Sequence, residues 1–378
     1  MERVRFEDIV TRVNTKEDRF NTDKIYYVGG EHIESNDIKV HQRGIIKGST
    51  IGPMFYCGFK AGDVLFVTRN PHLRKCAVVD FDGICSEKTF VLGTKDSSRL
   101  LQEYLPLIMQ SDDFWAYCEE NKSGGVNFFV NWSTLANYEF ELPSLEEQRV
   151  LADKLWAAYE VKESYKNLLA QTDKLLHAQF EKMFGNLLTN SLNLPTQKMS
   201  EVAPEIPSSK EQSGQVWQLN LDMIESKSGK IISKVYIDKD DVSSSTTAFD
   251  ATNVLYSKLR PNLNKVVVPD ESGYCTTELE LLPLKPNAKL LDRVFLATLL
   301  RNEEFVQWAI NHSAGTKMPR VSLSAFREFR IIVPPMEKQL EFVHIAEQAE
   351  QTKASLNKGI AAIEAVIRSL IAEGTTKV

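Results

Sequence analysis

Signatures that mark several common protein classes are absent from this chain, and each absence narrows the reading. No stretch approaches the roughly 20 apolar residues that cross a bilayer, and the opening MERVRFEDIV carries charges where a secretory signal has its apolar core. No membrane contact is expected, and the cytoplasm is the expected location. Cysteine is scarce: Cys57, Cys76, Cys85, Cys118 and Cys275 make an odd number without a Cys-x-x-Cys pair, which suits reduced, buried thiols rather than disulfides or zinc ligands. The six histidines include no His-x-x-x-His pair, so no metal site is expected. Gly29-Gly30 alone is no nucleotide fingerprint, and no Gly-x-x-x-x-Gly-Lys occurs. Asn70-Pro71 runs on into His72-Leu73, so the Asn-Pro-Pro-aromatic motif that holds a flipped adenine is missing too. The carboxylate pairs Asp112-Asp113 and Asp240-Asp241 sit in polar surroundings and read as solvated or helix N-terminal charge. The chain is expected to have no catalytic centre and no cofactor of its own.

A basic excess is also missing. Lysine and arginine number 45 against 51 aspartate and glutamate, a net charge of −6. Phosphate-binding domains usually lean the other way, although binding depends on where charge is placed rather than on its sum.

What the chain does have is a large internal repeat. Residues 64–85, VLFVTRNPHLRKCAVVDFDGIC, align without gaps on 254–275, VLYSKLRPNLNKVVVPDESGYC, at an offset of 190, with nine of 22 positions identical. Among the matches are Pro71/Pro261, Lys75/Lys265, Gly83/Gly273 and Cys85/Cys275. The register extends upstream to YYVGGEHI facing VWQLNLDMI, and downstream to Gly125 facing Gly315 and LPSLEEQ facing VPPMEKQ. At 378 residues the chain suits two cores of roughly 150 residues. In each repeat, short apolar runs bounded by Gly, Asp and Asn-Pro read as strands and turns. Helical pattern follows over roughly Ser98–Glu120 and Leu291–Asn311. Each repeat is expected to be an α+β domain with a curled, mainly antiparallel sheet.

After Pro143 no Gly or Pro occurs until Gly185. Leu151, Leu155, Ala158, Val161, Tyr165, Leu168, Thr172, Leu175, Gln179 and Met183 step by three or four, the seam of a coiled coil. A second seam follows Pro334-Pro335: Leu340, Val343, Ala346, Ala349, Lys353, Leu356, Ile360, Ile363, Ile367 and Leu370, with Gly359 inside it. Glycine there costs about 1 kcal/mol against alanine, a cost offset if the helices approach closely. Each helix of about 38 residues would be on the order of 57 Å long. An intramolecular antiparallel pair is the economical partner for both stripes, giving two heads on a helical rod.

Two related heads at fixed separation suit DNA, which presents sites about 34 Å apart at each turn. The expected target is bipartite and asymmetric. Candidate contacts in the first head are Arg69, Asn70, His72, Arg74 and Lys75, with Ser123, Gly124, Gly125 and Asn127 in a second loop. The second head offers Lys258, Arg260, Asn262, Asn264 and Lys265, then His312, Gly315, Thr316, Lys317 and Arg320. With Arg327 and Arg330, residues 312–330 form a basic stretch, four basic side chains against one acid. Arginine pairs with guanine O6/N7 and asparagine with adenine, and the matched Lys75 and Lys265 are candidates for a shared phosphate contact. The same polar loops would be solvated in a protein that binds nothing there. Pro71, Pro261, Gly83 and Gly273 read as turn formers. Tyr26, Tyr27 and Trp217 are core or stacking residues, with core favoured. Counting Lys and Arg against Asp and Glu, residues 1–142 have 17 against 21 and residues 185–334 have 17 against 17, so the isolated chain should grip DNA weakly.

These residues resemble the specificity (S) subunits of type I restriction-modification systems over nearly the whole chain. The likeness rests on Pro-x-x-Glu-x-Gln opening each long helix (Pro143, Glu146, Gln148; Pro334, Glu337, Gln339) and on a Gly-containing loop some 18 residues before each signature. The YYVGGEHI-like segment completes it, and HSAGTKMPRVS fits the family pattern more closely than KSGGVNFFVNWS. The resemblance implies an α+β chain of two tandemly duplicated α/β target recognition domains joined by two long antiparallel coiled-coil helices. It places them at 1–143, 144–186 (helix), 187–334 and 335–378 (helix). The helices would set the spacer and dock two modification (M) subunits, with Glu146, Gln148, Glu337 and Gln339 as partner-binding positions. S-adenosylmethionine would be bound by the M subunits, which methylate adenine. ATP and Mg would serve restriction (R) subunits that translocate and cleave double-stranded DNA. Two alternatives remain open on the residues alone: a coiled-coil scaffold whose heads bind protein, and an S subunit serving a fused endonuclease-methyltransferase.

Overall fold

The computed structural model describes residues 2–276 and 281–374. The chain divides into two units, Met1–Asn167 with Leu356–Val378, and Leu168–Ser355.

Unit 1 runs β1 (Glu2–Arg5), α1 (Phe6–Ile9), β2 (Val10–Val13), β3 (Tyr26–Val28), β4 (Gly44–Ile45), β5 (Phe55–Phe59), β6 (Val64–Val67), β7 (Cys76–Val78), β8 (Gly83–Ser86) and β9 (Thr89–Thr94). Then come α2 (Leu105–Gln110), α3 (Asp112–Glu120), α4 (Trp132–Ala136), β10 (Glu139–Leu142) and the start of α5 (Leu145–Phe184). The strands form two four-stranded sheets, ordered β2-β9-β6-β7 and β4-β3-β8-β5, and a β1-β10 pair. All pairings are antiparallel except β3 with β8. The run VLFV of β6 is apolar throughout because the strand is covered on both faces. Val64 and Phe66 enter a core with Phe114, Trp115 and Leu155. Leu65 and Val67 enter a second core with Val28, Phe59 and Cys85.

Unit 2 continues α5 and adds β11 (Thr196–Lys198), α6 (Met199–Val202), β12 (Gln215–Leu219), β13 (Val235–Asp238), β14 (Thr246–Phe249), β15 (Val254–Ser257), β16 (Val266–Val267), β17 (Gly273–Thr276) and β18 (Leu281–Leu284). It ends with α7 (Arg293–Arg301), α8 (Glu303–Asn311), β19 (Ser313–Ala314), β20 (Arg320–Val321), α9 (Leu323–Glu328), β21 (Arg330–Ile332) and the start of α10 (Met336–Glu373). The sheet β13-β12-β17-β14 has the order and the single parallel pair of β4-β3-β8-β5. The sheet β16-β15-β18 reproduces β7-β6-β9, and β11-β21 reproduces β1-β10. Val254 and Tyr256 of β15 face one core and Leu255 the other, as on β6.

The helical pattern near residues 98–120 and 291–311 is interrupted once in each unit. Ser111 accepts a bond from the Phe114 N–H at 3.2 Å and caps α3. Asn302 accepts from the Glu304 N–H at 2.8 Å and caps α8. Both are short polar residues followed by two acids, which start a new helix where periodicity alone reads one continuous helix.

In unit 1, α5 contributes Leu151, Leu155 and Tyr159 and α10 contributes Ile367 and Leu370 to one core. Gly359 lies so close to Tyr165 that a Cβ would collide with the ring. In unit 2, Phe180 meets Phe342 with ring centroids 5.4 Å apart, and Lys353 Nζ lies 3.0 Å from Asp173 Oδ1. Within each unit, partners late on one helix meet partners early on the other, so the segments run antiparallel. The expected α5 seam holds at Tyr165, which meets Gly359, and at Met183, which packs on the unit 2 core, but it is corrected at three positions. Val161, Leu168 and Leu175 are 42%, 45% and 69% exposed, while Tyr159 and Lys162 are buried. Apolar spacing alone follows the seven-residue interval of the exposed stripe, and polar contacts recruit the neighbouring line. Tyr159 donates its hydroxyl to the Asp37 carboxylate, His41 Nε2 lies 2.8 Å from the same hydroxyl, and Lys162 Nζ lies 3.9 Å from Asp37. On α10 the expected seam is buried at Val343, Ala346, Ile367 and Leu370 and half buried between them, while Leu340 is half exposed and the fully buried Phe342 lies beside it.

Candidate nucleic-acid interface

In each unit the candidate loops lie together because the backbone zips them. Leaving β6, the chain bridges Arg69 to Phe129, and the Asn70 N–H donates to the Phe128 carbonyl at 3.0 Å. Asn70 and Arg74 take left-handed conformations, φ 52° and 49°, on either side of a single 3-10 turn at Pro71–Leu73. The second loop is closed by paired bonds between Ser123 and Phe129, at 2.8 and 3.0 Å. Gly124 turns at φ 99°, and a Cβ there would sit 2.5 Å from the Asn127 carbonyl oxygen, so glycine is required.

Unit 2 repeats the construction. Leu259 bridges Arg320, and the Arg260 N–H donates to the Pro319 carbonyl at 2.7 Å. Arg260 and Asn264 are left-handed, both at φ 49°, around Pro261–Leu263. Gly315 turns at φ 103°. Arginine has no local bond with which to compensate a left-handed backbone, so Arg74 and Arg260 hold strain that the surrounding structure must enforce.

The side chains sort into two groups. Arg69, Asn70, His72, Gly125 and Asn127 are exposed in unit 1, as are Arg260, Asn262, Gly315, Thr316, Lys317 and Arg320 in unit 2. Ser123 is half buried, and so is Lys258. Others have partners within the chain. Lys75 Nζ donates to the Gly30 carbonyl at 2.6 Å, and Lys265 Nζ to the Leu221 carbonyl at 2.5 Å. The match between these lysines therefore has an internal cause: each ties its loop to the segment after β3 or β12. Burial lowers the Lys265 pKa, opposed by Asp222. Arg74 pairs with Asp112 at 2.6 Å, and Asn264 Nδ2 donates to the Arg301 carbonyl at 2.9 Å. The basic stretch 312–330 is also divided, since Arg327 pairs with Glu205 at 3.1 Å and Arg330 Nη2 donates to the Thr196 carbonyl at 2.8 Å.

Two loop-tip residues escape a search for polar contacts. Val126 is 93% exposed and Met318 is 43% exposed. The available signal is an apolar residue placed among glycines and polar residues, where burial cannot explain it. Trp217 is core, and Tyr26 is half buried beneath Arg43, whose guanidinium lies 4.0 Å from its ring centre.

The signature glutamines act inside the fold. Gln148 is fully buried; its Oε1 accepts from the Leu101 N–H and its Nε2 donates to the Arg99 and Pro143 carbonyls, all at 2.9 Å. Gln339 repeats this with the Asp292 N–H and the Leu290 and Pro334 carbonyls at 2.9, 2.8 and 2.7 Å. The expectation that they meet partners is corrected: with no surface, they clamp each helix start to the head. Glu146 and Glu337 are exposed. Among the described residues no group of three metal-ligating side chains occurs, and no described helix is long and apolar enough to cross a membrane.

A family model for the type I restriction modification DNA specificity domain matches residues 230–365. The EcoDI type I restriction enzyme specificity subunit of Escherichia coli is 25% identical over 294 residues, 67% of this chain and 65% of that protein. The chain is thus similar to the type I specificity subunits. Two solved structures share the fold. One, from work on complex assembly and conformational transition of a type I R-M system, has a TM-score of 0.58 at 18% identity, covering 99% of this chain and 97% of that one. The other, the S subunit of a type I restriction-modification system from M. genitalium, has a TM-score of 0.60 at 13% identity, covering 100% and 96%. Like these S subunits, the chain mixes helix and strand. The curated relative is matched over slightly less than two thirds of its length. The family match contains the loop pair of unit 2, while that of unit 1 is linked to it by its identical backbone construction.

Proposed function

We propose that this chain is the non-catalytic, DNA-reading subunit of a type I restriction-modification complex, built from two duplicated target recognition domains joined by an antiparallel coiled coil. The observation that carries this reading is the zipped loop pair, constructed alike in both units while its exposed side chains differ. Arg69, His72 and Asn127 stand in one, and Arg260, Asn262, Thr316 and Lys317 in the other. A constant frame with variable exposed donors suits two recognition surfaces that read different half-sites. The target is double-stranded, bipartite and asymmetric, with the lengths of α5 and α10 setting its spacer. Lys75 and Lys265 are withdrawn from direct phosphate contact by their internal bonds.

Two M subunits dock on the helices, where the exposed Leu168 and Leu175 of α5 supply apolar surface and Glu146 and Glu337 supply charge. Adenine methylation with S-adenosylmethionine belongs to M, and ATP- and Mg-dependent cleavage belongs to R. The complex works in the cytoplasm. The test is DNA binding by this chain assembled with its M partner. Affinity should fall steeply with salt and survive nonspecific competitor for one bipartite sequence, while the isolated chain binds weakly. A flat salt response would leave the protein-binding scaffold as the better account.

A further inference from the structure

Unit 1 holds a pair of cysteines that its counterpart lacks. β5 and β8 are antiparallel, and after an irregularity between Phe55 and Cys57 their register sets Cys57 directly opposite Cys85. Directly opposed residues project to the same face of a sheet with Cα atoms about 4.5–5.5 Å apart. A disulfide spans Cα separations of about 4.4–6.8 Å, so the backbone already has the spacing a bridge requires. Both side chains face the same core, Cys85 inside it and Cys57 packed against it.

The two sulfurs differ in access. Cys57 is half buried, whereas Cys85 is fully buried. The Cys85 thiol and the nearby Arg12 and Lys16 charges hold the Cys57 pKa below the ordinary thiol range, against burial and Glu87. That combination gives one reachable, thiolate-prone sulfur with a second directly beneath it, the arrangement of an attacking and a resolving thiol. In unit 2 the position of Cys85 is taken by Cys275, but the residue facing it is Thr247. Burial pushes the Cys275 thiol up to about 12.

We propose that Cys57 and Cys85 form an oxidisable dithiol, a modification site that closes into a cross-strand disulfide when the protein meets a hydroperoxide. The Cys57 thiolate attacks the distal oxygen, breaking the O–O bond to give a sulfenic acid and, after protonation, water from hydrogen peroxide. The Cys85 sulfur then attacks the Cys57 sulfur, forming the S–S bond and displacing the hydroxyl as a second water. Two thiols are oxidised and one peroxide is reduced. In a reducing compartment such a bridge is transient and is reopened by dithiols.

The full-length protein is treated with hydrogen peroxide, free thiols are blocked, and peptides are mapped without reduction. The expected result is a linked Cys57–Cys85 peptide, a chain lighter by two hydrogen atoms, and reversal by dithiothreitol. C85S should accumulate a dimedone-trappable sulfenic acid at Cys57, and C57S should show no oxidation at Cys85. The mapping of the unmodified sequence stands without either variant. Both thiols still free after peroxide, a bridge elsewhere, or conversion of Cys57 to sulfinic acid with Cys85 still a thiol would each overturn the proposal.

Discussion

Replacing Gln148 by alanine should destabilise unit 1 far more than the loss of one surface amide. The side chain is fully buried and serves three backbone groups: the Leu101 N–H, the Arg99 carbonyl and the Pro143 carbonyl, each at 2.9 Å. Truncation leaves a donor and two acceptors without these partners. An unsatisfied buried group costs about 1–3 kcal/mol, with carbonyls toward the lower end. The expected loss is about 2–5 kcal/mol, or roughly 5–15 °C in Tm for a unit of this size. Gln148→Glu sharpens the argument because it keeps the shape and removes the donors, directing a carboxylate at two carbonyls. Burial raises the folded-state pKa of such a carboxyl above its unfolded value. Its stability should therefore recover in part as pH falls through the raised pKa, where the neutral acid regains one donor. Urea unfolding followed by circular dichroism measures both variants. If Gln148→Ala unfolds within about 0.5 kcal/mol of the parent yet fails to assemble with M, the glutamine is a partner contact and the clamp is refuted.

Three further outcomes follow from local geometry. Arg260→Asn should raise stability by about 0.5–1 kcal/mol in urea melts, because asparagine tolerates the left-handed backbone at φ 49° that arginine endures. Gly359→Ala should destabilise by about 1–2 kcal/mol, since overpacking against Tyr165 exceeds the gain in helix propensity. In a Tyr165→Ala background the same change should become stabilising, and an unchanged sign would remove the close-approach account. Asp250 is buried, which alone would raise its pKa, but bonds from Thr252 and Ser208 and the charge of Lys210 hold it down to about 2. Its contribution is present above the unfolded value near 3.9 and lost as pH falls through about 2. Asp250→Ala should therefore weaken the protein at pH 7 and converge with the parent near pH 2 in pH-dependent melts.

Much of the architecture was legible because the repeat carries strand runs, turns and signatures in a constant register. β6 and β15 align residue for residue, and both are apolar throughout because both are covered on two faces. Matched residues were harder to interpret. Lys75 with Lys265 and Gln148 with Gln339 look like shared contacts in one dimension, but the partners that explain them, Gly30, Leu221, Leu101 and Asp292, are backbone groups 44 to 47 residues away. A backbone carbonyl has no letter in the sequence. The α5 seam slipped at Val161 for a related reason: Lys162 is buried beside Asp37, and Tyr159 packs in the core while its hydroxyl donates to the same carboxylate, a partner that apolar spacing does not register. Val126 and Met318 were passed over because apolar residues are expected inside.

The central claim, that two differently specified heads read one DNA target, is tested most directly by sequencing adenine methylation in cells carrying this chain with its M partner. The account predicts one asymmetric bipartite motif. Replacing Thr316, Lys317 and Asn262 together by alanine should degrade or alter only one half-site, and replacing Arg69, His72 and Asn127 only the other. A motif unchanged by both replacements, or both half-sites changing together with either one, would contradict it.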